Sequence, residues 1–399
     1  MRLRFPDDRR PREQEERSRL LQRMDAWWKA CATSASSFDD HFQGRGKFDL
    51  EGFMAQHLGA VDERLMWEFG PPVRGGKHRL VITPENERQL RPLLEALLSR
   101  APSIPGWELY PRRLAEPLEL AELTVKGRTG GTLQGWRVCI ATNDAGGVDL
   151  TYWNPSCAGP EDEAANSIAF VATESLLGEE TLDKFVDLIE VAASPVDGAE
   201  DVELGLAQGR VQAALEKQRA RLDDRPLLET AEGRKWSLVK LTPADLPDYE
   251  HQFDLLVAKT ALLPMWQRAH SNLPFFSERF SRHGETFCFI KIDGSQRLDA
   301  AGFADKAEIE AALEKALERE RLGTVIGGGT GRRYSYVDLA LLDVRRSIPI
   351  LQKTLRAGKV PRRSWLQFFD SELAEEWVGI WDDSPTPPGF EEAPAEPRH

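Results

Sequence analysis

The fold class of this chain depends on a stretch near its C-terminal end that begins Thr286-Phe-Cys-Phe-Ile-Lys-Ile292. The character of the side chains alternates along this segment in the manner of a β-strand. The next segment, Lys306-Ala-Glu-Ile-Glu-Ala-Ala-Leu-Glu-Lys-Ala-Leu-Glu-Arg319, predicts an amphipathic helix that Asp305 can cap and Gly323 can end. Five apolar side chains share one face of this helix: Ile309, Ala312, Leu313, Ala316 and Leu317.

The elements that follow complete a recognisable order. The pattern predicts strands at 324–327 and 333–342, a helix that Ser347 begins and Gly358 ends, and a strand at 364–370. The order βαββαβ is that of the ferredoxin-like arrangement, in which an antiparallel sheet carries helices on one face. We therefore predict an α+β fold with a ferredoxin-like domain at residues 235–381. Ahead of this motif we predict a strand at 236–241 and helices at 253–259 and 264–270.

The N-terminal half predicts a second α+β domain, at residues 18–195, which also contains an antiparallel sheet. Its first helix has apolar residues at every third or fourth position. Further along, Gly130-Gly131 and Gly146-Gly147 mark turns between strand patterns. We predict helices at 18–32, 50–63, 161–176 and 179–185, and strands at 64–69, 78–83, 107–113, 122–126, 135–143, 148–153 and 186–192.

Three segments lie outside these two domains. Residues 1–17 are charged and contain proline, and we expect them to be disordered. Residues 196–234 lack alternation and are predicted to form a linker with one helix near 208–224. Residues 382–399 are rich in proline and glutamate and are predicted to be a disordered acidic tail.

The composition indicates a globular protein with an uneven charge distribution. The 399 residues include 52 Lys and Arg against 65 Asp and Glu, for a formal net charge of −13. Between Asp370 and His399 the chain has nine acidic residues and one basic residue, so the C-terminal end holds most of the excess negative charge. No apolar run approaches the ~20 residues that span a bilayer, and no secretory signal is recognisable. The four cysteines are far apart in sequence, which indicates reduced thiols. We expect a cytoplasmic protein without a membrane contact.

Several short motifs carry a resemblance to a known group of proteins. In the first half they are Trp67-Glu-Phe-Gly70, His78-Arg-Leu-Val-Ile-Thr-Pro84, Ala101-Pro-Ser-Ile-Pro-Gly-Trp-Glu-Leu-Tyr-Pro111 and Leu176-Leu-Gly-Glu179. In the second half they are Gly328-Gly-Thr-Gly-Arg-Arg-Tyr-Ser-Tyr336 and Ser364-Trp-Leu-Gln-Phe-Phe-Asp370. Over these stretches the chain resembles a bacterial domain of unknown function found in two-domain α+β proteins. The resemblance implies the fold and no catalytic residue. It extends loosely to bacterial regulators and toxin-immunity proteins, at the level of the fold.

The glycine-rich segment Gly327-Gly-Gly-Thr-Gly331 has two interpretations, a phosphate-binding loop or a wide hairpin turn. A phosphate-binding loop needs a helix after the glycines, and a Walker loop also needs Gly-Lys-Ser/Thr. Here Arg332 and Arg333 follow, and a strand is predicted after them. The pattern therefore favours the hairpin turn.

Candidate nucleophiles and metal ligands are few. Cys157, on a predicted loop, is a better candidate for a reactive thiol than Cys288, which lies in a predicted buried strand. His78 begins a predicted strand and is expected to be a rim residue rather than a base. No HxxxH or HExxH pattern is present, so we expect no metal and no cofactor.

The most distinct cluster of like charges in the sequence is basic. Residues 345–363 contain seven cations and no acidic residue, and two more arginines precede them. Such a patch can bind an acidic protein or nucleic-acid phosphates, or it can be a solvated helix face. The nine residues are Arg332, Arg333, Arg345, Arg346, Lys353, Arg356, Lys359, Arg362 and Arg363.

Three classes of function remain open at this point. The leading prediction is a non-enzymatic protein-interaction module, such as an immunity-type inhibitor or a regulator, with a protein partner. The first alternative is a nucleic-acid-associated regulator that binds through the basic patch at 332–363. The second alternative is an enzyme with an unrecognised active site. The acidic tail, only a few residues beyond the patch, is expected to fold back and screen it.

Overall fold

The computed structural model of the chain describes residues 2–230, 233–295 and 302–390. The chain divides into two compact units: Leu3–Gln218 form unit 1, and the chain from Arg219 onward, together with Arg2, forms unit 2. Each unit combines helices with sheets in which antiparallel neighbours predominate, so the predicted α+β class is confirmed. None of the described helices is both long and apolar enough to cross a membrane.

The elements of unit 1 follow in chain order. Its helices are α1 Pro11–Phe42, α2 Leu50–His57, α3 Arg91–Ser99, α4 Leu118–Thr129, α5 Glu163–Leu177, α6 Glu179–Phe185 and α7 Ala207–Arg219, the last of which ends one residue into unit 2. Its strands are β1 Met66–Gly70, β2 His78–Thr83, β3 Trp107–Tyr110, β4 Arg137–Thr142, β5 Val148–Trp153, β6 Val186–Ala192 and β7 Glu200–Glu203.

The long helix α1 contributes to an apolar cluster of unit 1. It begins at Pro11, inside the segment expected to be disordered, and ends ten residues beyond the predicted end, at Phe42. Proline suits the first helical turn, where no backbone N–H is needed. Farther along, Trp27 and Phe38 are almost fully buried and hold the Ser- and Thr-rich second half of the helix in place.

Each described sheet of unit 1 contains one parallel pair, which corrects the expectation of purely antiparallel sheets. Strand β2 runs parallel to β3, and β5 runs parallel to β6. Helix α3 connects the first pair, and helices α5 and α6 connect the second. A helical crossover of this length is what a parallel pair requires. The strand orders are β1-β2-β3 and β6-β5-β4-β7.

Two local predictions in unit 1 are wrong. The strand predicted at 122–126 lies in helix α4, where Ala121 and Val125 are buried four positions apart and Gly130 ends the helix in a left-handed conformation. The segment predicted to be a linker contributes strand β7, which pairs with β4, whereas the helix predicted near 208–224 is present as α7. Residues 231–232 of that segment lie outside the described residues.

The elements of unit 2 form one large sheet with helices. The helices are α8 Leu263–Ala269, α9 Lys306–Glu320 and α10 Val344–Ala357. The strands are β8 Ser237–Lys240, β9 Leu255–Thr260, β10 Thr286–Asp293, β11 Gly323–Gly331, β12 Tyr334–Leu341, β13 Ser364–Phe368 and β14 Trp377–Gly379. The segment predicted as a helix at 253–259 is strand β9, because its alternating residues Ala258 and Thr260 are buried in the sheet.

Within the described residues, the sheet of unit 2 has the strand order β14-β13-β10-β12-β11-β9-β8, and every neighbouring pair is antiparallel. The predicted order βαββαβ appears as β10, α9, β11, β12, α10 and β13. The sheet is wider than the four strands of that motif, because β9 and β8 extend it on one side and β14 extends it on the other.

The glycine-rich segment lies inside strand β11 and not in a turn, which overturns both interpretations of it. Gly327, Gly328 and Gly329 pair with β12 on one side and with β9 on the other. A Cβ atom on Gly328 would overlap the carbonyl oxygen of Tyr336. The glycines therefore allow a close approach of three strands, and the turn itself is formed by the next two residues.

A buried carboxylate holds that turn. Asp254 is fully buried and accepts hydrogen bonds from the amides of Arg333 and Tyr334, at 2.8 and 2.9 Å, and from the Tyr336 hydroxyl. A Cβ atom on Gly331 would overlap this carboxylate, so glycine is needed there.

The described part of the segment predicted to be a disordered tail is packed against unit 2. Ser384 is buried, and the Trp365 indole donates to the Pro385 carbonyl at 2.6 Å. Phe390 packs against the aromatic cluster that includes Trp377. Apolar and backbone contacts therefore outweigh the Pro-rich composition over residues 382–390. Residues 391–399 lie outside the described residues.

Replacing Gly328 by alanine should destabilise unit 2 by about 1–3 kcal/mol, because this glycine has φ +145° and faces the Tyr336 carbonyl. Chemical denaturation measures the change. The control is Gly209→Ala in helix α7, where a Cβ atom meets no neighbour within 4 Å and should stabilise by about 0.5–1 kcal/mol. Equal stability of the Gly328 variant and the wild type would contradict this account of strand β11.

Candidate functional site

The basic residues predicted as a binding patch fall into three groups. In the first, Arg333 and Arg363 bind the same carboxylate, with Nη2 and Nε at 3.3 and 3.0 Å from Asp293 Oδ2. Arg363 also lies 2.7 Å from Asp248 Oδ2. Burial raises the pKa of Asp293, but hydrogen bonds from Ser295 and Arg333 outweigh it and lower the pKa. These two arginines are part of an internal ion cluster.

The second group contacts the acidic segment. Arg356 Nη2 lies 2.6 Å from Asp382 Oδ1, and Arg362 Nη1 lies 2.9 Å from Asp383 Oδ1. The Arg362 guanidinium also stacks over the Trp381 ring, 4.1 Å from its centroid. Two of the nine cations are therefore already paired with acidic residues of the segment expected to screen them.

The third group is exposed. Arg345, Arg346 and Lys353 lie on helix α10, and Lys359 follows it. Arg332 lies at the end of β11, 3.9 Å from Asp245, and donates to the Pro243 carbonyl at 3.3 Å. Four of the nine predicted cations are therefore paired with carboxylates of unit 2.

The candidate nucleophiles are enclosed. Cys288 is fully buried in β10, and burial raises the pKa of its thiol well above the ordinary value. Cys157 is buried as well, with 8% exposure. His78 Nε2 lies 2.8 Å from Asp39 Oδ1, and this hydrogen bond lowers the pKa of Asp39. Among the described residues, no group of three or more His, Cys, Asp or Glu is placed to hold a metal ion.

A pocket of about 340 Å³ opens in unit 1 beyond the end of β2. One side is apolar, formed by Phe170, Leu182, Val186 and Ile189. The other is charged, with carboxylates at Glu85, Glu174, Glu179, Asp183 and Asp187, and with guanidiniums at Arg88 and Arg128.

The centre of the charged wall is Glu179, the first residue of helix α6. It is 4% exposed and accepts from Arg91 Nη2 at 2.5 Å, from the Arg113 amide at 2.9 Å, and from the Thr83 hydroxyl. Burial raises the pKa of the neighbouring Asp183, although Arg88 and Arg91 act in the opposite direction. A carboxylate at a helix N-terminus is thereby joined to the ends of two other elements.

A second carboxylate, Glu174 of helix α5, continues the network. Arg113 Nη1 lies 3.0 Å from Glu174 Oε1, and Arg113 Nη2 lies 2.7 Å from Glu85 Oε1. Arg128 binds the other oxygen of Glu174. Burial lowers the pKa of Arg113, but Glu174 and Glu85 outweigh it and raise it above the usual value. Arginines of unit 1 therefore neutralise the negative charges of the carboxylates at the centre of this wall.

A different kind of surface lies at the edge of the unit 2 sheet. Strand β8 ends the described sheet, and large apolar side chains flank it. Leu238 is 68% exposed and Trp236 is 50% exposed. Four more apolar side chains are exposed over the next residues: Leu241, Leu246, Phe253 and Leu256.

The backbone of β8 has an unused edge in the described structure. The Leu241 amide donates to the Leu256 carbonyl of β9 at 2.9 Å. Since successive residues of a strand direct their backbone groups to opposite edges, Leu238 and Lys240 direct theirs away from β9. The edge therefore combines open hydrogen-bonding groups with exposed apolar side chains.

The sequence contained only part of the signal for these sites. The strand at 236–241 was predicted, but an edge strand and a central strand differ only in what pairs with them. Glu179 was assigned to a helix start, where an acidic residue needs no other partner. Its partners, the buried Arg91 and the partly buried Arg113, lie more than sixty residues away in sequence.

Comparisons with known proteins leave the geometry as the only guide to function. A scan against family models, a search of curated proteins and a search of solved structures each found no match.

Replacing both Asp382 and Asp383 by asparagine should strengthen binding of the chain to heparin, because Arg356 and Arg362 lose their acidic partners. The measurement is the salt concentration of elution from a heparin column. A control that removes the same charge at the exposed residues Asp144 and Asp224 should elute earlier than the double variant. Identical elution of the two variants would contradict screening by these ion pairs.

Replacing Glu179 by glutamine should destabilise unit 1 by about 3–5 kcal/mol, since Arg91 would keep a buried charge without its main partner. Chemical denaturation measures this loss. The control is the exposed Glu161 of the same unit, and Glu161→Gln should change the stability by less than about 1 kcal/mol. If both variants changed the free energy of unfolding by similar amounts, the contribution assigned to the Glu179 network would be wrong.

Proposed function

We propose that this protein is a non-enzymatic protein-interaction module that binds an extended segment of a partner protein beside strand β8. The observation that carries the proposal is the open edge of β8 with its exposed apolar side chains. Exposed apolar groups of this size mark interaction surfaces. The immunity-type inhibitor or regulator suggested by the sequence is one form that such a module takes.

Strand addition fits the chemistry of this edge. A partner strand would take up the outward backbone groups of Leu238 and Lys240, and these hydrogen bonds are independent of the partner's sequence. Side chains that flank the edge would supply specificity, with Trp236 and Leu238 on the face of Lys259, and Leu241 and Leu256 near the end of β8.

The charges around β8 favour an acidic partner. Lys235 and Lys240 are exposed at its two ends, and Arg332 of the predicted basic patch lies beside the segment that contains Leu246. Lysines on an edge strand also discourage indiscriminate pairing with other sheets. The partner segment we propose is therefore apolar at alternate positions and carries acidic residues at its ends.

We also propose that the centre of the unit 2 sheet is ferredoxin-like. The support is the order β13-β10-β12-β11, in which the fourth strand of the motif lies beside the first and the third lies beside the second. In that description β9 and β8 are an extension that supplies the binding edge.

A second candidate function is nucleic-acid association through helix α10. The observation in its favour is that Arg345, Arg346 and Lys353 are exposed on this helix. It ranks below strand addition because Arg333, Arg356, Arg362 and Arg363 of the same patch are bound to carboxylates.

The variant Lys240→Pro tests strand addition. Proline removes an outward N–H group and leaves the hydrogen bonds between β8 and β9 in place. Affinity capture from nuclease-treated lysate with the full chain should recover a protein prey, and Lys240→Pro should reduce its recovery at least about tenfold. The matched control Lys240→Thr removes the same charge and keeps the N–H, so it should retain most of the prey.

Other outcomes contradict the proposal. Equal capture by the proline variant and the wild type would exclude strand addition at β8. Recovery of nucleic acid alone, abolished by Arg345→Glu with Arg346→Glu, would favour the second candidate function. A failure of the wild-type chain to recover any prey would count against the interaction module.

A further inference from the structure

Three side chains of unit 2, the buried Gln252 and Asp338 and the partly buried His270, form a chain of hydrogen bonds that none of the sites above uses. Gln252 precedes β9, and its Nε2 donates to Asp338 Oδ1 of β12 at 2.7 Å. The Gln252 Oε1 atom lies 3.1 Å from Nε2 of His270, which follows helix α8. Asp338 is 1% exposed and Gln252 is 4% exposed, so water cannot readily replace these contacts.

Both ring nitrogens of His270 face oxygen atoms. Nδ1 lies 2.8 Å from the Trp266 carbonyl oxygen, and the imidazole stacks on the Trp266 ring with centroids 4.0 Å apart. A carbonyl oxygen only accepts hydrogen bonds, so Nδ1 must carry a proton. In the described amide orientation Nε2 faces another oxygen and must carry one as well. That arrangement pairs an imidazolium with an ionised Asp338.

The Gln252 amide has a second orientation of nearly the same shape, with nitrogen and oxygen exchanged. In that orientation Gln252 Nε2 donates to an unprotonated Nε2 of His270, and Gln252 Oε1 needs a donor on Asp338. The carboxyl group must then be protonated. The two arrangements hold the same number of protons, because His270 releases one to solvent and Asp338 takes one up.

We propose that Asp338, Gln252 and His270 form a proton-sharing site in which the two titratable side chains are either both charged or both neutral, with the Gln252 amide orientation deciding which. The proposal is independent of the proposed function, because none of these three residues lies at the exposed surface beside β8.

The surroundings of Asp338 and His270 shift the pKa values of both side chains in the directions that favour this exchange. Burial raises the pKa of Asp338 to about 7, although the Gln252 hydrogen bond and Lys306 lower it, and Glu310 raises it further. Burial lowers the pKa of His270, and the Trp266 carbonyl opposes that change. An acid and a base moved toward each other in this way can exchange a proton at little cost.

Titratable groups on three neighbouring elements lie near the site. Helix α9 contributes Lys306 and Glu310, which lie 2.6 Å apart, and β9 contributes Lys259, whose Nζ lies 2.6 Å from Glu310 Oε2. Strand β10 contributes Cys288, whose thiol pKa Asp338 helps to raise. A change in the charge balance of the Lys259–Glu310–Lys306 group would favour one arrangement over the other.

The shared site joins β12, the segment before β9 and the end of helix α8. In the charged arrangement an imidazolium and a carboxylate are linked through the amide, and in the neutral arrangement the same links are ordinary hydrogen bonds. Charge-assisted hydrogen bonds are roughly twice as strong as neutral ones. The attachment of α8 to the sheet therefore depends on the state of the site.

Nitrogen NMR of the full chain with labelled histidine tests the proposal directly, and His270→Gln assigns the signal. We expect His270 Nδ1 to remain protonated from about pH 5 to pH 8, so that its neutral form is the Nδ1–H tautomer. Observation of the Nε2–H tautomer would overturn the proposal. So would a neutral His270 together with an ionised Asp338, as read from the carboxyl carbon shift.

The variant Asp338→Asn provides a second readout. It removes the carboxylate, so the pKa of His270 should fall by at least about one unit, a tenfold loss of proton affinity. The matched control Asp245→Asn removes an acidic residue whose side chain is 87% exposed and should leave the His270 titration unchanged. An unchanged titration in Asp338→Asn would refute the coupling. If that variant does not fold, the tautomer of the wild-type protein decides the question.

Discussion

The carboxylate of Asp254 is the constraint on which unit 2 depends. It is fully buried, and the amides of Arg333 and Tyr334 and the hydroxyl of Tyr336 all donate to it. A buried carboxylate is costly unless its oxygens accept several hydrogen bonds, so the segment that holds Asp254 has one position relative to the β11–β12 turn. That position places Gln252 over Asp338, and it begins strand β9, on which the edge strand β8 is built.

Unit 1 also contains buried carboxylates that need several hydrogen-bond or ion-pair partners. Glu179 and Glu174 are buried beside Arg91 and Arg113, and each carboxylate binds groups from more than one element. Removing one member leaves a charge without compensation, so such networks hold their elements in one arrangement. The two units thus solve the burial of charge differently. Unit 1 pairs full charges, whereas unit 2 combines ion pairs such as Arg363–Asp293 with backbone amides and hydroxyl groups that donate to Asp254.

Local pattern predicted the parts of this structure that local interactions determine. The elements from β10 to β13 were predicted in their correct order, because their periodicity is strong and caps such as Asp305 mark their ends. Helix α4 was missed because its Leu-Thr-Val residues also fit a strand, and burial of Ala121 and Val125 decides between them. The glycines of β11 were assigned to a turn because the need for close approach arises only from neighbouring strands.

The predicted site residues show the same limit. A run of cations is visible in sequence, but Asp248 and Asp293, which bind Arg333 and Arg363, are distant along the chain. The exposure of Trp236 also depends on contacts that are distant in sequence. Its side chain would be buried if another strand paired with the outer edge of β8. Charged and apolar residues can be counted from the sequence. Whether a charge is paired, or an apolar side chain is covered, depends on the tertiary fold.

The two edges of the unit 2 sheet are unequal. At β14 the carbonyl groups of Trp377 and Gly379 accept hydrogen bonds from the side chains of Arg2 and Gln352, at 2.8 Å each. The opposite edge, β8, has no such cover in the described structure. A sheet that is open at both sides can add copies of itself without end, as in a fibre. With one side covered, the strand addition that we propose has only the β8 edge of the described sheet to use, so we expect one partner strand per chain.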